Sequence, residues 1–580
     1  MTYIRTLSFL IISLLFSGLS IAQDASPKVN QLGYKPDLSK IVITPYNDAM
    51  NFFLKNAESG EVVYTGKLTG GGFNEPSGEQ VKVADFSNFN APGNYILEIE
   101  NGETSFEFDI SNDIFKSVTK AVMKAYYFMR ASSALEEEYA GEWARPMGHP
   151  DTSVMIHPSA ATESRPEGVI ISSPKGWYDA GDYNKYVVNS GISTYTLLFA
   201  YEQFPEFFNT QNLNIPESDN SIPDILDEVL WNLRWLLTMQ DPEDGGVYHK
   251  ATTANFEDAS MPEDATSQRY VVMKNTPATL DFAAMMAQAA RVYKPFLPEF
   301  ADSALTASQK AWQWAKQNPE VMYRQNQMNR QYDPDVVTGA YGDGSASDEF
   351  FWAGSELFIS TGQKEYYDES GWKEADVTVP GWNNVRALGL YSLVHHQGDL
   401  DGISNQDKTA MNETLIAITD EMVGQSVTAP YRSPFGYENG HFFWGSNGHA
   451  GNIGMAILQS YQLTENQKYY EAALRVADYL LGVNPTGYSY ITGFGDKQVM
   501  NIHHRPSEAD NIDAPVPGMV AGGPNPRNLN QDCGEDKYPS KLPALAFLDD
   551  WCSYSTNEIT INWNAPVVYL FSGLEYLGKK

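Results

Sequence analysis

Two aspartates, Asp179 and Asp182, lie three residues apart in the stretch GWYDAGDYNKYV, which begins at Gly176 and gathers Trp177, Tyr178 and Tyr183 around them. In a loop entering a helix, both carboxylates can point at one water. One accepts its proton while the other orients it. A helix cap on a tight turn, or a calcium loop, would use the same residues. A second candidate is Glu558, in FLDDWCSYSTNEITINWNAPVV, among Tyr554, Ile559, Ile561 and Trp563. Apolar and aromatic neighbours disfavour the carboxylate charge and raise its pKa, as a general acid at neutral pH requires. A surface Glu is the ordinary alternative. Asp549, nearby, reads equally as a helix-end acid. A third cluster is NIHHRPS, with His503, His504 and Arg505. It can grip hydroxyls, steady a carboxylate or pack as structure. Adjacent histidines diverge, which makes them poor joint metal ligands.

Positioning such groups requires a large scaffold, and the chain reads as two architectures. From Lys28 to about Ile110 the pattern is that of strands. Tyr95, Leu97 and Ile99 share one face, and Phe106, Phe108 and Ile110 alternate with polar residues. Asn101-Gly102 between them suits a type I′ hairpin turn. KIVITPY and EVVYTGKL add further short strands, so a small β-sandwich is expected. After Ser111 the period becomes helical. In SIPDILDEVLWNLRWLLTMQ, seven aliphatic residues from Ile225 to Leu237 share a face, with Ser221 expected as N-cap and Pro223 in the first turn. NQKYYEAALRVADYLLG repeats the pattern and stops at Gly482. Nine more such segments lie near 114–132, 188–205, 276–293, 301–317, 347–361, 383–396, 405–424, 448–461 and 563–577. About eleven helices with little strand require a layered bundle, a solenoid or a closed double ring. Their long aromatic loops are where function is expected.

The 580 residues carry a formal net charge of −34, from 73 acidic and 39 basic residues. That field repels phosphate backbones and anionic membranes, so nucleic acid is excluded as a partner. A neutral substrate tolerates it. At the N-terminus, Arg5, the apolar run LSFLIISLLFSGL and Ser20-Ile21-Ala22 form a cleavable signal-peptide pattern over residues 1–22. The mature protein is therefore expected to be exported (periplasmic, cell-surface or secreted), to have no membrane span, and to be a monomer. Cys533 and Cys552 are the only cysteines. In an oxidising compartment they read most simply as a disulfide, worth on the order of 3 kcal/mol.

Several of these motifs, in one order, carry a resemblance over nearly the whole mature chain. VNQLGYKPDLSKIVI resembles the opening of an N-terminal immunoglobulin-like domain. GWYDAGDYNKYV, SYITGFGDKQVMNIHHR and FLDDWCSYSTNEITINWNA resemble the catalytic-base, His-Arg and Asp-Glu signatures of glycoside hydrolase family 9, with IPDILDEVLWNLRWLLTMQ, GGVYHK, SDEFFWAGSEL and WGSN falling in family order. Ile502 departs from the Pro that many members carry. The resemblance implies an (α/α)6 barrel over 112–580 behind an immunoglobulin-like sandwich over 23–111, which is expected to stabilise the barrel. It implies an endo-β-1,4-glucanase, inverting at the anomeric carbon and acting on cellulose-type or mixed-linkage glucans. An exo-acting cellodextrinase or cellobiohydrolase, and a non-catalytic glucan-binding protein, are the alternatives. By motif position Asp182 would be the base, Asp179 its helper and Glu558 the acid, with His503 and Arg505 on the sugar and Asp549 supporting the acid. Inversion needs the two carboxyls roughly 6.5–9.5 Å apart with water between them, so the aspartate doublet is the basic half and Glu558 must face it. Trp177, Trp352, Trp382, Trp444 and Trp563 lie in or beside motifs; Trp382 and Trp444, in loop-like contexts, are the expected sugar platforms. His249 is expected to contact a hydroxyl. No cofactor is needed for the chemistry. Structural calcium is implied at Asp348 and Glu349, with Asp343 beside them, although helix capping would use the same residues.

Overall fold

The computed structural model describes residues 26–372 and 376–579. The signal-peptide pattern lies outside the described residues. Seven strands form the N-terminal unit: β1 (Gly33–Tyr34), β2 (Ile41–Pro45), β3 (Asn51–Asn56), β4 (Val62–Asn74), β5 (Glu79–Asp85), β6 (Gly93–Ile99) and β7 (Phe108–Ile110), hydrogen-bonded in the order β1-β7-β6-β3-β4-β5-β2. The long β4 belongs to both layers. Its first half pairs with β3 and its second half with β5, with an irregularity between Gly70 and Gly72. Val42, Ala84 and Phe86 from one layer pack against Phe52, Leu54, Leu97 and Phe108 from the other, which makes the unit a sandwich.

The turn after β6 differs from the sequence expectation. Gly102 has φ +95°, but Asn101 keeps a negative φ, and Ile99 N–H bonds Glu103 O at 2.9 Å while Gly102 N–H bonds Ile99 O at 2.8 Å. Type I′ requires positive φ at both central residues. The hairpin is instead a three-residue loop, in which Gly alone takes the left-handed position.

The opposite face of β2 and β5 turns to the helical unit. Ile43, Val81 and Val83 are buried against Tyr431 and Val483. Asn30 donates from Nδ2 to Asp478 at 2.9 Å, and Asp478 also pairs with Arg475 at 2.7 Å.

Apart from short loop helices of four or five residues, the helical unit of the described residues is built from twelve helices: α1 (Lys116–Phe128), α2 (Val187–Gln203), α3 (Asp224–Thr238), α4 (Thr276–Tyr293), α5 (Pro298–Gln317), α6 (Ser347–Thr361), α7 (Lys364–Glu369), α8 (Arg386–His396), α9 (Asn405–Thr428), α10 (Ser446–Thr464), α11 (Gln467–Leu480) and α12 (Ile561–Leu577). The even-numbered helices are apolar or small-residue on nearly every side. They form the inner ring, with α2 against α4, α4 against α6, α6 against α8, α10 against α12, and α12 returning to α2. The odd-numbered helices are outer ones. This is the (α/α)6 barrel. Inner helices can bury hydroxyls because these bond back to their own carbonyls, as Ser193 does to Asn189 and Thr196 to Ile192, each at 2.8 Å.

Two expectations about helices are corrected. α3 begins at Asp224 with Pro223 in the cap position, so Ser221 is not its N-cap. The residue before a proline is driven out of helical geometry, which leaves Ser221 and Ile222 in the preceding turn. The six-residue α7 was not expected, because one and a half turns are too short to display a period.

Candidate active site

The aspartate doublet lies at one mouth of the barrel, in the loop that leads into α2. That loop is locked on both sides by main chain. Asp179 N–H bonds Asn184 O at 3.0 Å, closing the loop on itself. Ile561 N–H bonds Asp179 O at 2.9 Å, and Ala180 bridges Thr560. On the other side Arg505 N–H bonds Gly181 O at 3.2 Å, and a Cβ on Gly181 would collide with the carbonyl of His503. Only glycine lets the two backbones approach that closely.

Glu558 enters through the same backbone pairing. His503 N–H bonds Asn557 O at 2.9 Å, Gly522 N–H bonds Glu558 O at 2.8 Å, and Thr560, two residues on, is the residue that bridges Ala180. Segments some 380 residues apart in sequence are thus laid side by side, with Glu558 half-buried at the mouth.

Each carboxylate has a distinct environment. Asp179 is buried, accepting from Asn189 Nδ2 on α2 at 2.7 Å and from Tyr341 Oη at 2.9 Å. Burial first, and the charge of Asp182 second, push its pKa up to about 8. Asp182 accepts at Oδ2 from Asn184 Nδ2 at 2.5 Å and from Tyr186 Oη at 3.1 Å. Its Oδ1 is buried with no hydrogen-bond partner among the described residues. Desolvation raises its pKa, opposed by the charge of Arg505. Glu558 is raised well above the carboxylate range, by desolvation and then by the charges of Asp182 and Asp179, with Arg505 and the Trp444 side chain opposing the shift. Of the partners of Asp182, Tyr186 belongs to, and Asn184 immediately precedes, a small five-stranded sheet at the mouth, ordered β10-β11-β12-β8-β9: β8 (Val154–Ile156), β9 (Ile170–Ile171), β10 (Lys185–Tyr186), β11 (Lys250–Thr253) and β12 (Arg269–Val271).

The remaining residues singled out in the sequence divide clearly. His503 stacks on Trp551 with ring centroids 4.1 Å apart, and its Nδ1 bonds Trp551 O at 2.7 Å. Desolvation lowers its pKa to about 4, so the ring is neutral, with the proton on Nδ1 and Nε2 left as an acceptor. Arg505 bonds the backbone carbonyls of Gly181 at 2.7 Å and Glu257 at 2.8 Å, which ties the aspartate loop down. Asp549 accepts from Met500 N–H, Asn501 N–H and Asn557 Nδ2 at 2.9, 2.8 and 3.0 Å, clamping the 500–501 segment to the residue before Glu558.

Trp444 is 39 % exposed and leans over Tyr554. Trp382 is half-buried, edge-on to Tyr341, the residue that bonds Asp179. Trp563 is half-buried on α12, packed against Gly445 and Gly448. Trp177 and Trp352 are core residues.

His249 is not where a hydroxyl contact would sit. It is 1 % exposed, stacked on Tyr323, and both ring nitrogens are taken, by Ala340 O at 2.7 Å and Asn275 Nδ2 at 3.0 Å. The residues sequence reasoning missed are Tyr341, Tyr186, Asn184 and Asn189. They act through side-chain contacts that no spacing announces, although Tyr341 opens the YGDGSASDEFFW stretch.

Cys533 and Cys552 form a disulfide. Asp550 lies beside the two sulfurs, but oxidised sulfurs have no thiolate to give a metal. The calcium candidates Asp348 and Glu349 occupy the first turn of α6. They face Asp343 and also Asp281 of α4, which the sequence did not suggest; desolvation and the neighbouring acids raise Asp281 and Glu349 well above the carboxylate range. Among the described residues both oxygens of Asp281, Oδ2 of Asp343 and Oε2 of Glu349 are buried without hydrogen-bond partners. Asp348 Oδ2 accepts from Val385 N–H at 2.9 Å, at the start of α8.

An (α/α)6 barrel whose mouth gathers three carboxyls, Asp179, Asp182 and Glu558, each raised above its usual pKa, suits the chemistry of a glycoside hydrolase. The comparisons specify which. The family model described as glycosyl hydrolase family 9 matches residues 115–571, and that described as the cellulase N-terminal ig-like domain matches residues 22–104. A xyloglucan-specific endo-beta-1,4-glucanase of Bacteroides ovatus is 42% identical, over 97% of this chain and 97% of its own length. Endoglucanase D of Acetivibrio thermocellus is 31% identical over 95% of this chain and 83% of its own. The solved structure titled Bacteroides ovatus GH9 superposes with a TM-score of 0.89 at 41% identity, covering 95% of this chain and 99% of that one. The chain belongs to glycoside hydrolase family 9 and is an enzyme of the endo-1,4-β-glucanase type. Among the described residues no helix is long and apolar enough to cross a membrane.

Proposed function

We propose that this enzyme hydrolyses internal linkages of a β-1,4-glucan with inversion, Glu558 acting as the acid and Asp182 as the base. The observation that supports this most is the backbone pairing of Ala180 with Thr560 and of His503 with Glu558. It brings the proton donor and the water-activating pair to one mouth. The unpartnered Asp182 Oδ1 is the free lone pair that takes a proton from water. Asp179, fixed by Asn189 and Tyr341, holds the other hydrogen. The water oxygen bonds to the anomeric carbon as the glycosidic bond breaks, and Glu558 passes its proton to the departing oxygen. Desolvation and two neighbouring acids keep that proton in place at neutral pH. His503 Nε2 accepts from a sugar hydroxyl, Arg505 steadies the base loop, and Trp444, Trp382 and Trp563 supply aromatic surface to sugar C–H faces.

Replacing Glu558 by Gln keeps the shape and removes the proton. Hydrolysis of an unactivated glucan should fall by about 10²–10⁴. Undiminished hydrolysis would overturn the assignment.

A branched β-1,4-glucan of the xyloglucan kind is a second reading of the substrate, favoured by the 42%-identical relative. Relative rates on xyloglucan, carboxymethylcellulose and mixed-linkage glucan decide it. A calcium ion is proposed among Asp281, Asp343, Asp348 and Glu349, whose orphaned oxygens form an all-oxygen donor set suited to a hard cation. The ion would neutralise their mutual repulsion and take no part in bond cleavage. The N-terminal apolar run and the disulfide both favour export.

A further inference from the structure

Five exposed large apolar side chains, Tyr46, Met50, Val62, Val63 and Phe73, lie on the small sandwich, and the others are scattered over the larger helical unit. Two of them are aligned. Phe73 of β4 is paired with Gln80 of β5. The β2–β5 register runs from Ile41↔Asp85 to Pro45↔Val81, and the next residue, Tyr46, bonds Gln80 O through its N–H at 2.8 Å. Tyr46, Gln80 and Phe73 therefore form one row across three adjacent strands.

Directly opposed residues project to the same side of a sheet. Lys82, two residues from Gln80 and so on the same side, confirms the orientation: its ammonium lies 4.9 Å from the centre of the Tyr46 ring. The rings are 58 % and 60 % exposed, and Gln80 between them is exposed as well. Two strand spacings separate the rings by roughly 9–10 Å. That distance spans two glucosyl units of an extended β-1,4 chain, whose C–H faces pack on aromatic rings while the hydroxyls between them meet an amide.

The row also adjoins the catalytic unit. The β4–β5 turn, which follows Phe73 and precedes Gln80, is held there by Glu75 accepting from Asn439 Nδ2 at 3.2 Å and by Glu79 accepting from Tyr431 Oη at 2.8 Å. Asn439 is five residues from Trp444. No basic field is needed for a neutral polysaccharide, in keeping with the net charge of −34.

We propose that the Tyr46–Gln80–Phe73 row is a glucan-binding surface, on which a β-1,4-glucan chain lies outside the catalytic cleft. The sandwich then does more than stabilise the barrel; it retains polymer near the mouth. This rests on the glucan reading given above.

The test uses the full chain carrying Glu558→Gln, run in native gels with and without xyloglucan or hydroxyethylcellulose. Adding Tyr46→Ala and Phe73→Ala should weaken retardation by about tenfold in apparent affinity, and either one alone by about threefold or more. Phe73→Trp should preserve it. Met50→Ala, equally exposed at 62 % but outside the row, should change nothing. In the active enzyme the double variant should hydrolyse cellohexaose, too short to engage both places, at the unchanged rate.

Undiminished retardation of the double variant, or an equal loss in Met50→Ala, would overturn the proposal. Equal loss on cellohexaose would also overturn it, because the row would then be acting through the cleft. Failure of the active enzyme to release sugar from any β-1,4-glucan would instead strike the reading on which the proposal rests.

Discussion

At the scale of single residues, the site depends on carboxyls held away from their usual pKa values by burial. Asp179 shows what that costs. Its folded-state pKa is raised to about 8 by desolvation and by Asp182, whereas in an unfolded chain it titrates near 4. Between those values the folded state holds a proton that the unfolded chain has released, so this residue makes stability fall as pH rises through the window. An amide has no such slope. Asp179→Asn should therefore lose activity yet melt at a higher temperature than the parent at pH 8–9, with the gap closing towards pH 4. Thermal melts across that range would show it. A gap that is constant with pH would mean that burial does not penalise the Asp179 charge.

At the scale of elements, what matters is which segments the inner ring presents at its mouth. The sequence made the helical period, the strand alternation and the two acid-bearing motifs legible, because each is written in residues close together. The hydrogen-bond partners were hidden. Tyr341 meets Asp179 across 162 positions and Asn189 lies on a helix ten residues on; nothing in local spacing marks either as a partner. His249 was misread for the related reason that a histidine in a motif looks available until its ring nitrogens are seen bonded to Ala340 and Asn275.

Asp281 is the clearest omission. On α4 it reads as one acid in an otherwise buried helix, and only packing against the start of α6 brings it to Asp343, Asp348 and Glu349. Four acids converging there, with orphaned oxygens, are costly without a cation. Removing divalent ions with a chelator should lower the melting temperature by several degrees, and added calcium should restore it. The Asp281→Asn variant should respond less. A melting temperature indifferent to chelator would exclude a bound ion that stabilises this junction.

At the scale of the whole molecule, sandwich and barrel share buried polar contacts as well as apolar ones. Asn30 donates to Asp478 and accepts from the N–H groups of Leu32 and Gly33, so one side chain shapes the sandwich's opening turn and ties it to α11. Asn30→Ala leaves those groups short of partners at a cost of about 1–3 kcal/mol. Because the contact joins two units, calorimetry should show one transition that moves down as a whole. A sandwich melting separately from an unshifted barrel would refute that coupling. The boundary between the units was legible as a change of period after Ser111. Their docking was not, because the strand faces that carry Val81 and Val83 look like any other half of an alternating pattern.

The measurement that bears most directly on the proposed acid and base is the configuration of the first product. Proton NMR of cellohexaose hydrolysis, followed faster than mutarotation, should show the α-anomer of the newly formed reducing end appearing first, with the β-anomer growing in later. Initial release of the β-anomer would contradict the proposed attack by a water held at Asp179 and Asp182 with Glu558 as the acid.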